Sequence, residues 1–506
     1  MKNLYKLLIL TFFCSALYVS CNLEENPPYL SQNSVYADEA TASTALNGVF
    51  NPLTNHFYYG HDYHVINAYM SGMFAAKKGS DRYTIGALSP TPTFNYITKF
   101  WELSYQTIGR ANDMIANVEE GTGNVELDNI LGITYFVRAN TYLNLVRLYG
   151  GVPLKTVPAT AETLHQPRAS VDEVYALIIA DGEKAKSLMK EPAEQIGGRP
   201  GKYAANMLLA KAYMTLAGND SSSPYWQKAY DEAIQIYGKY TLVGNYDDLF
   251  SSEATANNNS ESIYEIQFNS EVPSKIGRVF TPNAAYAGSG WERIRALPEV
   301  VDAHAARYPD DPRYNSTFRD QYNKFNNNAL VKVYPARTRA NFNVAFTYIN
   351  KYFVKDQTTN TDANNYNFVQ YRYGDLLLML AEIENELNGP ANAYKYVNEV
   401  LTRARNSGTG VTEPANWSGL SKDDFRDAIM KEYHFELLGE GHDFFVGHRR
   451  GYPFFKANYI DVHNARNDKP FDPVFPDNES VMLLPIPSDE IGANREISIS
   501  DQNPGY

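Results

Sequence analysis

The chain has 506 residues, 44% hydrophobic and 20% charged, enough to bury a large core, and a length-only reading would suggest about three domains. Its formal net charge of −13 argues against nucleic acid or an anionic membrane face as partner, because phosphate neutralisation needs clustered Lys and Arg. There are 39 Tyr, 25 Phe and 4 Trp but only two Cys; tyrosine suits surfaces that are both wet and adhesive, and the scarcity of Cys leaves little room for thiol catalysis or a cysteine-based metal site.

At the start, Lys2 and Lys6 precede an apolar run from Leu7 to Val19 and then Ser20-Cys21. A basic tip, an apolar stretch too short to span a bilayer and a small residue before the cut predict a lipoprotein signal over residues 1–20, with Cys21 as the lipid attachment. An ordinary secretory signal is the plainer alternative. Glu24, Glu25, Pro27 and Pro28 read as a polar, extended tether. No later stretch approaches the ~18 consecutive apolar residues of a spanning helix, so the membrane serves only as an attachment point for a single body, residues 21–506.

Along that body, apolar residues recur at helical spacing in separated blocks. Trp101, Tyr105, Ile108, Asn112 and Ile115 share one stripe within 100–118; Tyr135, Ala139, Tyr142, Val146 and Tyr149 share another within 131–149. Gly150-Gly151-Val152-Pro153 ends the second. Further helices are predicted over 171–189, 203–217, 226–237, 371–387, 391–405 and 425–438. Residues 51–98 and 241–370 lack long stripes, are rich in Asn, Gly, Pro and Tyr, and contain short strand-like pieces such as 263–268; irregular segments of this size are usually functional. Pro485-Ile486-Pro487 reads as an extended strap. Small residues at crossing points (Ala139, Ala210, Ala212, Ala381, Ala404) suggest hairpins of tetratricopeptide type. The expected fold is therefore mainly α: tetratricopeptide-like helical hairpins with large loop-rich insertions and a few short strands. Its N-terminal half, 21–240, is built of hairpins; its C-terminal half, 241–506, holds the largest insertion and the closing helices.

Several motifs in order give a resemblance. Arg138-Ala139 runs to Leu148-Tyr149-Gly150-Gly151-Val152-Pro153-Leu154; Gly198-Arg199, Asp310-Asp311-Pro312-Arg313, Arg372-Tyr373, Arg403-Ala404-Arg405, Glu436-Leu437, Glu440-Gly441-His442, Arg449-Arg450-Gly451 and the closing Asn503-Pro504-Gly505-Tyr506 follow. This succession resembles the SusD/RagB family of nutrient-binding outer-membrane lipoproteins. The resemblance implies four tetratricopeptide-like hairpins, a ligand site on the inserted loops, and a TonB-dependent, SusC-like transporter as partner. It also implies outward-facing display on the outer membrane and capture of oligosaccharides, or of peptides in some members. The residues themselves offer no motif for a catalytic residue, a cofactor or a metal.

From the residues themselves, Arg138, Arg372, Arg403 and Arg405 read as scaffold, pinning carbonyls or carboxylates. Glu432 with Glu436, or Glu436 with Glu440, would share a helix face as a glycosidase carboxylate pair, yet neither pair lies in the loop-rich segments. His434, His442 and His448 lack the spacing of a zinc hydrolase. A sugar site needs flat apolar faces beside planar donors and acceptors. Two segments offer both: 57–96, from which Tyr63, Phe74, Arg82 and Tyr83 are chosen, and 280–295, with Asn283, Tyr286, Trp291 and Arg293. Trp291 leads the list because Gly288 and Gly290 suit a close-approach loop. Arg82, Arg293 and Arg295 give a faint hint of an acidic sugar, since arginine also bonds neutral hydroxyls.

Overall fold

Helices form where the apolar stripes are longest and stop where capping chemistry allows. The computed structural model describes residue 36 and residues 38–506 apart from 122, 196, 286–289, 354–364 and 467–470, so the predicted signal, Cys21 and Tyr286 lie outside the described residues. The longer helices are α1 (Glu39–Phe50), α2 (Asp62–Met70), α3 (Asn95–Asn117), α4 (Val125–Tyr149), α5 (Val171–Leu188), α6 (Lys202–Ala217), α7 (Tyr225–Ala233), α8 (Pro298–Arg307), α9 (Tyr373–Asn388), α10 (Pro390–Asn406) and α11 (Lys422–Leu437). All eight predicted blocks are helical. The block 226–237 is shorter than expected, because Ile234–Tyr237 turn ahead of Gly238, whose φ is +75°.

Caps explain the boundaries. Ser170 and Glu173 form a reciprocal capping box at the start of α5, and the Asn124 side chain accepts from the Glu126 and Leu127 N–H groups at the start of α4. Gly389, at φ +81°, ends α9, and Pro390 opens α10 at once. A left-handed glycine followed by a proline with preset φ makes the tight reversal of a helical hairpin.

The hairpins pack in sequence. α4 lies between α3 and α5, α5 reaches α6, α6 pairs with α7, and α7 touches α9, which in turn pairs with α10 and α11. Being covered by neighbours, α4 is buried nearly all round, from Ile130 to Tyr149. Polar groups on it must then be bonded internally. Arg138 accordingly clamps Asp181 with Nε–Oδ2 2.7 Å and Nη2–Oδ1 2.8 Å, and Nη1 reaches Asn112. The extended strap appears where expected: the Leu484 N–H donates to Leu148 O at 2.7 Å, and Asn503 donates to Tyr149 O.

A buried ionic cluster locks the C-terminal helices to the insertion. Glu436 on α11 accepts from Arg313 (3.0 Å), Arg372 (2.8 Å) and Arg403; Glu440 accepts from Arg372 (2.7 Å) and Lys351 (2.7 Å). Glu432 accepts from Arg313 at 2.7 Å, and Glu261 from Arg372 and Arg403. All of these side chains are essentially inaccessible. The scaffold reading of Arg138, Arg372 and Arg403 matches these contacts, and Arg405 likewise holds the Pro414 carbonyl at 2.6 Å.

Short helices and eight short strands, all paired antiparallel, join these among the described residues: β1 (Phe74–Ala75), β2 (Ser262–Ile266), β3 (Arg295–Ala296), β4 (Phe318–Arg319), β5 (Gln321–Asn323), β6 (Leu330–Lys332), β7 (Thr347–Ile349) and β8 (Phe368–Arg372). One sheet has the order β1-β3-β7-β4, with Phe74 opposite Ala296 and Ala296 opposite Thr347. Its importance is positional. It brings the two loop-rich segments, 51–98 and 275–296, side by side although some 200 residues separate them.

Candidate functional site

The junction of those segments is built on a return of the chain over a short helix, Ile276–Phe280. The Trp291 N–H donates to Arg278 O at 2.8 Å, Glu292 N–H to Thr281 O at 3.0 Å, and Arg293 N–H to Val279 O at 2.9 Å. Two backbone features fit the chain into this space. Gly290 lies so close to the Thr281 and Pro282 carbonyls that any Cβ there would collide with them, and Glu292 takes a left-handed φ of +42°. A non-glycine residue in that region stores on the order of 1 kcal/mol of strain, a cost met more often at functional positions than elsewhere.

The result places the Trp291 indole, half-buried, among cations and histidines. The Arg278 guanidinium lies 4.4 Å from its ring centre and that of Arg293 5.1 Å. His61 and His56 meet it edge-on, at 5.2 and 5.7 Å, and stack on each other at 4.7 Å. Arg293 Nη1 donates to the Tyr96 hydroxyl at 3.2 Å, while the Tyr69 hydroxyl donates to the Arg293 carbonyl. The Lys275 N–H donates to Gly60 O at 3.2 Å, joining the two loops directly. Arg82, whose Nη1 pairs with Asp81 at 2.6 Å, lies near Tyr96 and Tyr69.

Titration follows this environment. Burial, then the charges of Lys275, Arg293 and Arg278, push the His56 imidazole down to about 4. Burial raises the Asp62 carboxyl to about 8 despite Arg293 nearby; its Oδ1 is 2.6 Å from His61 Nδ1. His56, His61 and Asp62 can bring one ligand atom each within 4.8 Å of one another. A dication there would face three protein cations, so the trio reads better as neutral, polar surroundings of the Trp291 ring.

The predicted site residues divide. Trp291, Arg293 and Arg82 come together, and Asn283 lies exposed beside them, its N–H 3.5 Å from Glu292 Oε2. Tyr83 is half-buried at the head of a short helix, Tyr83–Gly86. Tyr63 and Phe74 are corrections. Tyr63 is 3% exposed, packed against Tyr59 and Phe368, and Phe74 is fully buried in β1. Burying their rings in the core outweighed surface display because both lie on elements, α2 and β1, that are covered on every described residue. Arg295 is also internal, its guanidinium 4.3 Å from the Phe342 ring. His56, Lys275 and Arg278 were not selected from sequence. The spacing of Lys275 and Arg278, three apart just ahead of the Gly–Trp loop, was the available signal.

A separate apolar cavity of about 270 Å³ lies between α8 and α11, lined by Val300, Phe318, Met430, Phe435 and Tyr459 among others. It lacks the cation–aromatic pairing of the Trp291 junction. Glu432, Glu436 and Glu440 have their carboxylates occupied by arginine and lysine, and His434 contacts the Tyr459 hydroxyl.

Comparison with known proteins adds sequence and fold evidence. Residues 207–506 match the model of the SusD family, and residues 26–214 match one described as starch-binding associating with outer membrane. SusD-like protein P25 of Formosa agariphila is 26% identical, over 100% of this chain and 99% of that protein; SusD-like protein P2 of the same organism is 27% identical over 96% and 97%. Among solved structures, a SusD homolog from Bacteroides thetaiotaomicron superposes with TM-score 0.80 at 23% identity, covering 96% of this chain and all of that one. A laminarin binding SusD-like protein gives 0.72 at 24% identity, covering 93% and 100%.

Proposed function

The chain belongs to the SusD family, and from that premise we propose that it is a cell-surface binding protein that captures oligosaccharides and passes them to a TonB-dependent, SusC-like transporter. The observation that carries the reading is the loop-borne Trp291 with guanidinium groups beside it. An indole offers a flat apolar face to sugar C–H groups, and arginine offers planar donors to hydroxyls. Trp291, Arg293 and Arg82 are the proposed contacts, with Asn283 and Tyr83 as further candidates; Tyr63 and Phe74 are not. Likeness to a laminarin binding protein and to a surface glycan-binding protein from Bacteroides uniformis supports a saccharide over a peptide.

The protein acts by binding and not by hydrolysis: its paired carboxylates are consumed by structural ion pairs. Cys21 carries the lipid that holds it on the outer face of the outer membrane; among the described residues no helix is long and apolar enough to cross one. Screening residues 22–506 on an array of oligosaccharides and peptides tests the central claim. Binding confined to saccharides, and lost in Trp291→Ala, is expected. Binding confined to peptides would overturn it.

A further inference from the structure

We propose that a small polar pocket between α4, α6 and α9 binds a monovalent inorganic anion of chloride size. The pocket shares no lining residue with the Trp291 junction. It is lined by Arg147 of α4, Lys211 of α6, Asp375 of α9, Tyr433 of α11 and, just beyond that helix, His442 and Arg449. Its volume is about 40 Å³. One water needs about 10 to 15 Å³ of such space, so a halide ion fits and a sugar ring or a phosphate ester does not.

The carboxylates that line or adjoin this pocket are already answered. Asp375 Oδ2 is 2.6 Å from Lys211 Nζ; Glu382 is held by Arg449 at 2.6 Å and by Arg450; Glu386 is held by Arg426 at 2.6 Å and by Arg450 at 3.1 Å. Arg426 also holds Asp423, so four cations meet four carboxylates in this linked set. Glu440 is occupied by Arg372 and Lys351, and Asp443 accepts the Gly439 N–H. Arg147 is the cation left over. Its Nε donates to Leu143 O on its own helix at 3.1 Å and its Nη2 to Asn144 Oδ1 at 2.9 Å, both neutral acceptors. Among the described residues Nη1 has no acceptor, and no carboxylate pairs with the guanidinium.

The guanidinium lies 3.6 Å from the centre of the Phe445 ring, which covers its π-face and leaves its donors in their own plane. The charges of Arg147 and Arg449 both act on Lys211, whose ammonium is pulled down chiefly by burial, so three cations are felt in one small space. Burial holds the His442 imidazole down at about 4, hence neutral, and among the described residues its ring has no hydrogen-bond partner. It can therefore solvate an ion without adding charge. A water molecule would satisfy Arg147 Nη1 but leave its charge unmatched, which is costly away from bulk solvent. A halide accepts several charge-assisted hydrogen bonds at once and balances the guanidinium, in a half-buried setting where solvent screens less than at an open surface.

The test uses bromide and chloride on the mature chain. Crystals soaked in sodium bromide and measured at the bromine absorption edge should show an anomalous peak in the pocket, within hydrogen-bond reach of Arg147 and Lys211. In solution at constant ionic strength, replacing gluconate, which is too large to enter, by chloride should raise the melting temperature by roughly 2 °C, because an ion that binds only the folded state stabilises it by mass action. Arg147→Gln should lose that increment. If Arg147→Gln does not fold, the bromide signal in the wild type decides alone. Bromide peaks confined to the outer surface would overturn the proposal, and so would a chloride effect of equal size in the wild type and Arg147→Gln, the mark of a general salt response.

Discussion

Trp291 and the core aromatics Tyr63 and Phe74 make opposite predictions although all three stand in aromatic-rich loops or beside them. Truncating Trp291 to Ala should remove on the order of 1 to 3 kcal/mol of saccharide binding, the scale of one large aromatic contact, with a smaller effect on folding, because the ring is only half-buried. Tyr63→Ala and Phe74→Ala should each cost about 3 to 5 kcal/mol of stability, since both leave cavities in a closed core. Paired melting and calorimetry on the three variants separates the roles; a strongly destabilised Trp291 variant would return that ring to the core. Asp62 supplies a pH signature. Its folded carboxyl holds a proton up to about pH 8, whereas the ordinary value is 3.8. The folded state therefore keeps a proton that the unfolded chain has released, and this contribution is fully present below pH 3.8 and is lost as pH rises toward 8. Asp62→Asn, compared with wild type by denaturant titration at several pH values, should lack that decline. Identical pH slopes in the two proteins would refute the assignment.

At the level of elements, α11 is fastened by charges rather than by apolar contact alone. Removing Glu436 takes one carboxylate partner each from the buried Arg313, Arg372 and Arg403 and leaves positive charge in excess there, so Glu436→Ala should destabilise by about 3 to 5 kcal/mol. The exposed pair Lys99–Glu102 on α3 should be worth less than about 1 kcal/mol. The same cluster sets the acid limit. Glu436, and Glu382 beside Arg449 and Arg450, are held down at about 2 against an ordinary 4.5; this stabilisation is complete above pH 4.5 and drains as pH falls toward 2. Far-UV circular dichroism during acid titration should show unfolding begin in that interval, and full helicity at pH 2 would contradict it. The Gly290 turn is the counterpart in the loop that carries Trp291. A methyl group there meets backbone carbonyls that cannot swing aside, so Gly290→Ala should displace Trp291 and weaken saccharide binding with little change in the helical core.

For the whole molecule, the predictions concern attachment and partnership. Labelled palmitate should enter the wild-type chain and not Cys21→Ala; equal labelling would end the lipoprotein reading. Gentle detergent extraction of native membranes followed by pull-down should recover a TonB-dependent β-barrel together with the protein, as a capture lid requires. Repeated recovery of the protein alone, with other membrane complexes intact, would count against that role.

The helices were legible because their cause is local. A stripe every three to four residues, with Ser170, Asn124 or Gly389 at the ends, specifies a helix without reference to the rest of the chain. The family motifs were legible for a related reason: Arg138 on α4, Arg372 at the end of β8 and Glu436 on α11 are tied to buried partners that permit few substitutes. The junction around Trp291 is different in kind. Whether an aromatic in a stripe-free segment faces solvent or core depends on what covers it, and the cover for Phe74 and Tyr63 comes from β3, at Ala296, and from Phe368 of β8, more than 200 residues away. The gathering of His56, His61, Arg278 and Arg293 around Trp291 likewise awaits the β1–β3 pairing. Local periodicity carries no record of such long-range register, so the tertiary structure alone decided which of these aromatics stayed half-buried and which became core.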